Sequence, residues 1–361
     1  MKKLLLAMSG GIDSSVSALM LRDKYEIIGA TFRTYDSMKE SCIAREKGCC
    51  TIESIMEAKH FAESLGIEHH LVDFRDRFRE TVISNFISEY LHGRTPNPCV
   101  VCNREIKWGI MLQKADELGC EYVATGHYAR IMHENGRYFL RKGVDLSKDQ
   151  TYFLWRLSQD NLARTVFPLG EYTKDEIRAI ADEKGFKALV KKRESQEICF
   201  VPDDDYRNFL RSQVPDIDEK IGEGDIISTE GKVLGKHKGF PFYTIGQRKG
   251  LNVAVGHPVF VTDINPDKNT VTLGEREDLL KTEIYVCDLN FMKYENLLSP
   301  MKLDCKIRYN SKGVECEAVQ EGDRLHIKFA QPVSAATPGQ SAVLYEGDDV
   351  VVGGVIEGFN E

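Results

Sequence analysis

The sequence predicts an α/β fold, in which a doubly wound, mostly parallel sheet is followed by two small β-barrel domains. Strand-like and helix-like segments alternate over about 130 residues at the start of the chain, a pattern typical of a parallel sheet with helices on both faces. After about residue 202 the composition shifts to short runs of Gly, Val, Ile and Thr between turn signals. We therefore expect three domains, at residues 1–204, 205–282 and 283–361.

The elements of the first domain follow from apolar periodicity and from residues that begin or end helices. Short apolar runs predict strands at residues 3–8, 26–33, 68–74 and 121–125. Helical spacing predicts helices at residues 14–21, 51–65, 77–91 and 104–118. Gly66 and Gly119 are placed to end two of these helices, because glycine adopts the left-handed conformation common there.

Beyond the first sheet the pattern changes twice. Asn135-Gly136 between two short runs predicts a hairpin over residues 130–142. Helical patterns return at 150–162 and at 173–184, the second after the capping-type residue Thr173. Tyr152, Phe153 and Trp155 are interpreted as core side chains. The later part of the chain is divided by turn signals and by a break near residue 282, which separates the two β domains.

Composition limits the class of protein without choosing a function. No stretch approaches the roughly 20 apolar residues that span a bilayer. The first apolar run ends at Met8, too early for a signal-peptide core of about 7–15 residues. We expect a cytoplasmic protein without a membrane partner, whose ten cysteines do not form a disulfide framework. The net charge of −8 permits RNA binding through local basic patches but does not argue for it.

A loop rich in glycine and serine lies between the first strand and the first helix. It reads Ser9-Gly10-Gly11-Ile12-Asp13-Ser14-Ser15. Two glycines allow a tight turn that aims backbone N–H groups at an anion, and the serines add hydroxyl donors. The helix N-terminus also favours negative charge. Asp13 does not suit a pure anion site, and orienting a donor or holding Mg²⁺ would explain it. The loop has neither the lysine of a Walker A sequence nor the spacing of a dinucleotide fingerprint.

This loop resembles the PP-loop of N-type ATP pyrophosphatases, which adenylate a carbonyl oxygen and release pyrophosphate. Four further stretches resemble segments of the tRNA 2-thiouridylases. Their order and spacing match that family along the whole chain. They are residues 93–98 with Cys102-Asn103 and Ile106-Lys107-Trp108, Gly126-His127-Tyr128-Ala129, residues 148–154, and residues 243–251. The resemblance implies a PP-loop domain, two β domains, and ATP-dependent 2-thiolation of uridine 34, the wobble base of tRNA.

The resemblance also implies which residues bind ATP and tRNA. The positions implied for ATP with Mg²⁺ are Ala7, Met8, Ser9, Gly10, Gly11, Ile12, Asp13, Ser14, Phe32 and Gly126. Phe32 stands where we expect a methionine, although an apolar surface for adenine remains. The positions implied for tRNA are Asn97, Pro98, Cys99, His127, Lys148, Asp149, Gln150, Arg308, Tyr309 and Gln340. Asn97 can donate to and accept from a base edge.

Two cysteines match the catalytic positions of the family. Cys199 matches the persulfide cysteine, and Cys102 matches the cysteine that attacks the persulfide and frees its sulfur. The basic residues 191–193 lie just upstream of Cys199 and could stabilise a thiolate, which is the reactive form of cysteine. The sulfur is expected to come from a cysteine desulfurase, directly or through a relay protein, because nothing in this chain resembles a desulfurase.

Cys99 departs from the family pattern, which has an aspartate read as a general acid/base three residues before the second cysteine. A thiol is a poor substitute for a carboxylate in that role. Cys99, Cys102 and Cys199 could instead hold a 4Fe–4S cluster with one open iron, whose sulfide would attack the activated uridine. Cluster-free persulfide chemistry is the alternative. A zinc site completed by Cys49 or Cys50, or a plain dithiol, is less favoured.

Two other functions compete with tRNA thiolation. The first is a PP-loop enzyme that adenylates a different RNA or a small-molecule carbonyl, which leaves the β domains and residues 93–98 without a purpose. The second is a non-catalytic RNA-binding relative with a degenerate nucleotide site. The presence of Ser9, Asp13, Cys102 and Cys199 argues against the second.

Overall fold

A computed structural model describes residues 1–35, 52–190, 198–201 and 205–358. The strands of its N-terminal part are β1 (Lys2–Ala7), β2 (Tyr25–Arg33), β3 (Glu68–Asp73), β4 (Tyr122–Ala124), β5 (Ala129–Glu134), β6 (Arg137–Lys142) and β7 (Thr165–Val166). Five of them form a sheet in the order β3-β2-β1-β4-β7, and every pairing in it is parallel. Leu4, Leu5 and Leu6 of β1 are fully buried, as expected for a central strand covered on both faces. The predicted parallel sheet is confirmed.

Helices cover this sheet. They are α1 (Ile12–Leu21), α2 (Ile52–Ser64), α3 (Arg75–Phe78), α4 (Ser84–Leu91), α5 (Pro98–Cys102), α6 (Met111–Glu117), α7 (Gln159–Ala163), α8 (Lys174–Glu183) and α9 (Lys187–Val190). A π-helical segment, Arg79–Ile83, joins α3 to α4, and a second one, Asn103–Ile110, joins α5 to α6. The predicted helix at 104–118 therefore begins earlier, at Pro98, and its first turn carries Cys99 and Cys102.

One predicted helix, at residues 150–162, is wrong. The structure has a 3₁₀ turn at Thr151–Phe153 and only the short helix α7 in its place. The side chain of Asn290 donates hydrogen bonds to the carbonyl oxygens of Trp155 and Leu157. These two carbonyls are therefore satisfied by a residue from the later part of the chain and not by backbone N–H groups of a helix. By contrast, Thr173 caps α8 in a reciprocal capping box with Glu176, as its sequence predicted.

The central part begins with two helices that the sequence did not reveal, α10 (Tyr206–Gln213) and α11 (Ile217–Ile221). Four strands follow, β8 (Gly224–Ser228), β9 (Val233–His237), β10 (Phe260–Asn265) and β11 (Thr270–Gly274), in the sheet order β10-β11-β8-β9. Asn269 has a φ of 48° in the turn between β10 and β11, where Pro266-Asp267-Lys268-Asn269 is a turn signal in the sequence. Across the described ranges, no helix has the length and apolar character needed to cross a bilayer.

The C-terminal part is a closed barrel of six antiparallel strands. These are β12 (Leu280–Phe291), β13 (Met301–Lys306), β14 (Val314–Glu321), β15 (Arg324–Ser334), β16 (Ser341–Glu346) and β17 (Asp349–Ile356). Their order is β12-β15-β14-β13-β16-β17, and β17 pairs again with β12, which closes the barrel. The β5–β6 hairpin of the N-terminal part joins the barrel by pairing β6 with β17. The predicted C-terminal β-barrel is confirmed.

Buried ion pairs fix the hairpin to the barrel. Asp349 accepts hydrogen bonds from Arg141 Nε at 2.5 Å and from Lys293 Nζ at 2.6 Å, and its side chain is only 8% exposed. Lys293 also contacts Glu346 at 2.5 Å. Burial alone would raise the pKa of Asp349, but the hydrogen bonds from Arg141 and Lys293 outweigh it and leave that pKa below its usual value. The folded protein therefore favours the ionised carboxylate.

Replacing Asp349 by asparagine is expected to lower the free energy of unfolding by about 3 kcal/mol at pH 7, because the partly buried cations Arg141 and Lys293 lose a carboxylate that they share. The pKa of Asp349 is lower in the folded chain than in the unfolded chain. In the unfolded chain, an aspartate has a pKa of about 3.9. The stabilisation is therefore present above about pH 4 and is lost as pH falls through the folded pKa. Urea unfolding of the wild type and the variant from pH 7 to pH 3 measures the difference between their free energies of unfolding.

Asp348→Asn, at an exposed ion pair with Lys142, is the matched control and should cost less than about 1 kcal/mol of stability. A pH-independent difference would contradict this account.

Candidate active site

The loop between β1 and α1 makes its turn at a position that only glycine fits. Gly10 has a φ of +70°, and a Cβ there would lie 2.4 Å from the carbonyl oxygen of Ser54. Ser14 Oγ accepts from the backbone N–H of Ser9 at 3.2 Å and donates to the carbonyl of Gly11 at 3.1 Å. Ser15 Oγ is buried without a hydrogen-bond partner among the described residues. The loop thus holds a tight turn at the start of α1, with a buried hydroxyl beside it.

Asp13, in the first turn of α1, is held by residues from distant parts of the chain. Lys174 Nζ donates to its two carboxylate oxygens at 2.8 and 2.9 Å. The hydroxyl of Tyr128 donates to Oδ1 at 2.8 Å. Lys174 is almost fully buried, and its ammonium lies 5.6 Å from the centre of the Tyr128 ring. Of the two roles that the sequence left open for Asp13, the structure shows the partnership with a donor.

The stretch after β4 packs directly on this loop. A Cβ at Gly126 would lie 3.0 Å from Asp13 and 3.1 Å from the backbone nitrogen of Ser14, so only glycine fits without a shift. Met8 is buried, and its carbonyl accepts from Thr31 Oγ1 at 2.7 Å. Phe32 ends β2 against Phe74, with ring centres 5.1 Å apart. The ends of β1, β2 and β4 therefore bring the residues expected to bind ATP to one edge of the sheet.

His127 connects this edge to the helix that carries two cysteines. Lys107 Nζ lies 3.3 Å from His127 Nε2, and Thr125 Oγ1 lies 2.6 Å from Nδ1. Burial, reinforced by the charge of Lys107, lowers the pKa of His127 well below its usual value. The ring is therefore neutral at pH 7. Because the ammonium can only donate, Nε2 accepts and Nδ1 carries the proton.

Cys99 and Cys102 lie in the first turn of the same continuous helix. Cys99 is exposed, yet the surrounding protein desolvates its thiol enough to raise its pKa, while the charge of Lys107 acts in the opposite direction. Asn103 holds the next turn by donating to the carbonyl of Phe153 at 2.9 Å. Lys107 is thus close enough to influence both Cys99 and His127.

Cys199 is exposed on a short segment anchored by aromatic packing. The neighbouring Phe200 is buried, and its ring centre lies 5.2 Å from that of Phe86 and 5.1 Å from that of Phe209. Cys102 packs against the same hydrophobic cluster as this segment. Cys102 and the neighbours of Cys199 therefore pack on one apolar cluster, while the thiol of Cys199 is exposed.

The residues described do not favour a metal centre at these thiols. Within residues 1–35, 52–190, 198–201 and 205–358, no group of three His, Cys, Asp or Glu side chains is arranged to hold a metal ion. The predicted cluster at Cys99, Cys102 and Cys199 is thus not supported by the geometry. Cys49 and Cys50, considered for zinc, and the basic residues 191–193 lie outside the described residues.

Several positions expected to contact tRNA make contacts within the protein. The Gln340 side chain donates to the carbonyls of Thr95 and Pro96, at 3.1 and 2.8 Å, and so joins the barrel to the loop before Cys99. Tyr309 packs on Phe153, with ring centres 4.5 Å apart. The exposed Arg308 donates to the carbonyl of Ser334. Pro98 is the buried first residue of α5, and Asn97 precedes it.

Residues 148–150 are divided between surface and interior. Asp149 is 4% exposed and accepts from Thr151 Oγ1 at 2.8 Å and from the backbone of Gly143. Burial raises its pKa. Its carboxylate is therefore turned into the protein rather than toward a bound RNA. Gln150 accepts from the backbone N–H of Tyr128 at 2.9 Å, and Lys148 is half-buried.

Sequence reasoning missed Lys174 and assigned no role to Lys107. Lys174 is the first residue of α8, and no motif connects it to a loop 161 positions earlier. Lys107 stands in a stretch that carried the family resemblance, but its contact with His127 depends on the π-helical segment Asn103–Ile110. π-Helical segments are frequent at functional sites, yet the sequence does not announce them.

Comparison with known proteins shows which families the three parts of the chain resemble. Residues 2–203 match the family described as tRNA methyl transferase HUP domain, residues 207–275 the tRNA methyl transferase PRC-barrel domain, and residues 281–356 the aminomethyltransferase beta-barrel domain. The tRNA-specific 2-thiouridylase MnmA of Amoebophilus asiaticus is 52% identical over 98% of this chain and 95% of its own. The proteins of the same name from Cytophaga hutchinsonii and Salinibacter ruber are 50% and 48% identical, over 98% of this chain and 97% and 94% of theirs.

The chain has a glycine- and serine-rich loop at the carboxyl edge of a parallel sheet, cysteines nearby, and two β domains later in the sequence. Together with the family match, these features define an ATP-utilising enzyme of the PP-loop class. Identity at this level extends over nearly the whole chain rather than over the nucleotide-binding domain alone. The chain belongs to the MnmA family of tRNA-specific 2-thiouridylases.

Proposed function

We propose that this chain is a sulfurtransferase that uses ATP to replace the 2-oxygen of uridine 34 in tRNA with sulfur. The observation that carries the proposal is the connection between the loop and the thiols. Gly126 packs on the loop, the adjacent His127 contacts Lys107 at 3.3 Å, and Lys107 lies on the continuous helix that begins with Cys99 and Cys102. An activation site and a sulfur-transfer site thus adjoin, and family membership supports tRNA as the substrate.

The first stage activates the base. The 2-oxygen of uridine attacks the α-phosphorus of ATP and pyrophosphate leaves, so that AMP becomes the leaving group at C2. We assign ATP to the edge formed by Ala7, Met8, Ser9, Gly10, Gly11, Ile12, Asp13, Ser14, Phe32 and Gly126. Both oxygens of Asp13 already accept hydrogen bonds, so the loop fits phosphate oxygens better than a cation. Mg²⁺, when bound, would neutralise the triphosphate and be held chiefly by its phosphates.

The second stage transfers sulfur. The terminal sulfur of a Cys199 persulfide attacks C2, and AMP leaves with its bonding electrons. The thiolate of Cys102 then attacks the Cys199 sulfur, which frees 2-thiouridine and leaves a Cys102–Cys199 disulfide. A thiol reductant restores the two cysteines, and a cysteine desulfurase or a relay protein supplies the next persulfide sulfur. Since the thiols do not form a metal-binding group among the described residues, no step is assigned to an iron–sulfur cluster.

The tRNA is assigned to the surface between the cysteine helix and the barrel. Its proposed contacts are Asn97, Pro98, Cys99, His127, Lys148, Gln150, Arg308, Tyr309 and Gln340, with Asp149 acting from the interior through the backbone of its neighbours. The substrates would be the lysine, glutamate and glutamine tRNAs, modified in the cytoplasm. The exposed side of Cys199 leaves its thiol accessible to a sulfur donor.

Incubation with ATP, a desulfurase, cysteine and a lysine tRNA transcript tests this function. We expect 2-thiouridine at position 34, with one AMP and one pyrophosphate released per sulfur incorporated, as measured by nucleoside mass spectrometry and nucleotide chromatography. A transcript with cytidine at position 34 is the control and should gain no sulfur. ATP cleavage that ignores tRNA, or sulfur incorporated at another position, would overturn the proposal.

A further inference from the structure

Lys174 is an unusually placed cation. Its side chain is only 5% exposed, and burial of an ammonium is costly unless an opposite charge compensates for it. The compensation comes from Asp13, whose two oxygens accept from Nζ at 2.8 and 2.9 Å. Tyr128 completes the arrangement through its hydroxyl, 2.8 Å from Oδ1, and through the face of its ring. One charge pair therefore ties α8, the stretch after β4 and the phosphate loop together.

The charge balance at the loop explains why this pair matters. Asp13 is the second residue of α1 and lies among backbone N–H groups and serine hydroxyls suited to an anion. An uncompensated carboxylate there would repel a triphosphate across a short distance in a partly desolvated site, where charges interact strongly. Lys174 removes that repulsion without itself lying on the loop. Its hydrogen bonds also fix the carboxylate against Tyr128.

We propose that Lys174 is a positioning residue of the nucleotide site, which neutralises Asp13 and so makes the loop an effective anion receptor. The inference rests on the proposed binding of ATP at this loop. This role for the pair differs from a role of Asp13 as a ligand of Mg²⁺. A metal ligand at position 13 would be needed for ATP binding whichever residue stood at position 174. The two roles predict opposite results when both charges are removed together.

The test compares ATP dissociation constants, measured by calorimetry with Mg²⁺ and again with EDTA, for the wild type, K174M, K174R, D13N and D13N/K174M. We expect K174M to weaken binding about 30-fold, the effect of leaving one charge of a desolvated pair alone. K174R should remain close to the wild type. D13N completes the double-mutant cycle, because it leaves the Lys174 ammonium without the Asp13 carboxylate.

The double variant decides between the roles. D13N/K174M removes both charges of the pair together, so it should recover most of the affinity that K174M loses. A thermal melt of each variant separates folding from binding, and the double variant, compared directly with the wild type, keeps the test valid should a single variant unfold. The proposal is overturned if folded K174M binds ATP as tightly as the wild type, or if the double variant in EDTA binds no more tightly than K174M. Wild-type protein that does not bind ATP would instead refute the nucleotide site itself.

Discussion

Replacing Cys199 by alanine is expected to abolish thiolation of tRNA while ATP-dependent release of pyrophosphate continues. The thiol is exposed on a segment that Phe200 anchors in an aromatic cluster, so its removal deletes the sulfur carrier without opening the core. Activation of uridine depends on the loop and on Gly126, which lie on other elements. The measurements are 2-thiouridine per tRNA and pyrophosphate per enzyme. The first should fall by at least about 1,000-fold, since the sulfur nucleophile itself is lost.

A control variant and a metal determination show whether the loss of thiolation is specific to a persulfide on Cys199. Cys287→Ser alters a half-buried thiol of the barrel and should leave both measurements near wild type. Iron and acid-labile sulfide, determined on wild-type protein purified without oxygen, should both be far below the roughly four per chain of a cubane cluster. Normal thiolation by Cys199→Ala would exclude the proposed sulfur carrier. Stoichiometric iron with activity that depends on it would replace the persulfide route by the cluster alternative.

The position of the loop at the sheet edge could be predicted from the sequence, because it follows from the order of parallel strands. Parallel strands end at one edge, so Ser9–Ser14, Phe32 and Gly126 had to converge once strands β1, β2 and β4 were recognised. The resemblance in residues 93–108 singled out Cys102, but the predicted helix at 104–118 began too late to include it. Local pattern was enough where the signal is a short motif at the end of a strand.

Tertiary partners decided what the sequence could not. The 150–162 segment has apolar residues at helical spacing, yet Trp155 and Leu157 give their carbonyls to Asn290 of the barrel. The resemblance implied a tRNA contact for Asp149, but its side chain is buried and takes its hydrogen bonds from Thr151 and Gly143. Lys174 gave no sequence signal, since its partner Asp13 is 161 residues away. Trp155, Leu157 and Lys174 thus have partners far along the chain, whereas the partners of Asp149 are local.

Trp155 is the residue where this long-range dependence is strongest. It is fully buried, and its indole N–H donates to Ser341 Oγ in the barrel at 2.9 Å. A Cβ on Gly353 of β17 would lie 2.5 Å from the ring, so indole and strand are in close contact. Trp155→Ala is expected to lower the free energy of unfolding by about 3–5 kcal/mol. Urea denaturation followed by circular dichroism measures the loss.

The same substitution should also weaken tRNA binding, because the barrel supports the loop before the cysteines. Gln340 is bonded to Thr95 and Pro96, and the N–H of Thr95 donates to the carbonyl of Pro338 at 2.9 Å. A barrel loosened at Trp155 no longer holds that loop against its helix. We therefore expect a higher KM for tRNA, with little change in the dissociation constant for ATP, at temperatures where the variant is folded.

Leu325→Ala is the matched control, since Leu325 is equally buried but lies in the core of the barrel, away from the junction. It should cost about 2–5 kcal/mol of stability and leave the KM for tRNA unchanged. Gln340→Ala should show the reverse, a raised KM with little loss of stability, because it removes the contact with the loop and opens no cavity. If Trp155→Ala and Leu325→Ala change the KM for tRNA equally, the effect follows stability alone and the barrel has no part in positioning the cysteine loop. A KM that rises for Trp155→Ala and Gln340→Ala but not for Leu325→Ala would make the barrel junction part of the substrate-binding apparatus.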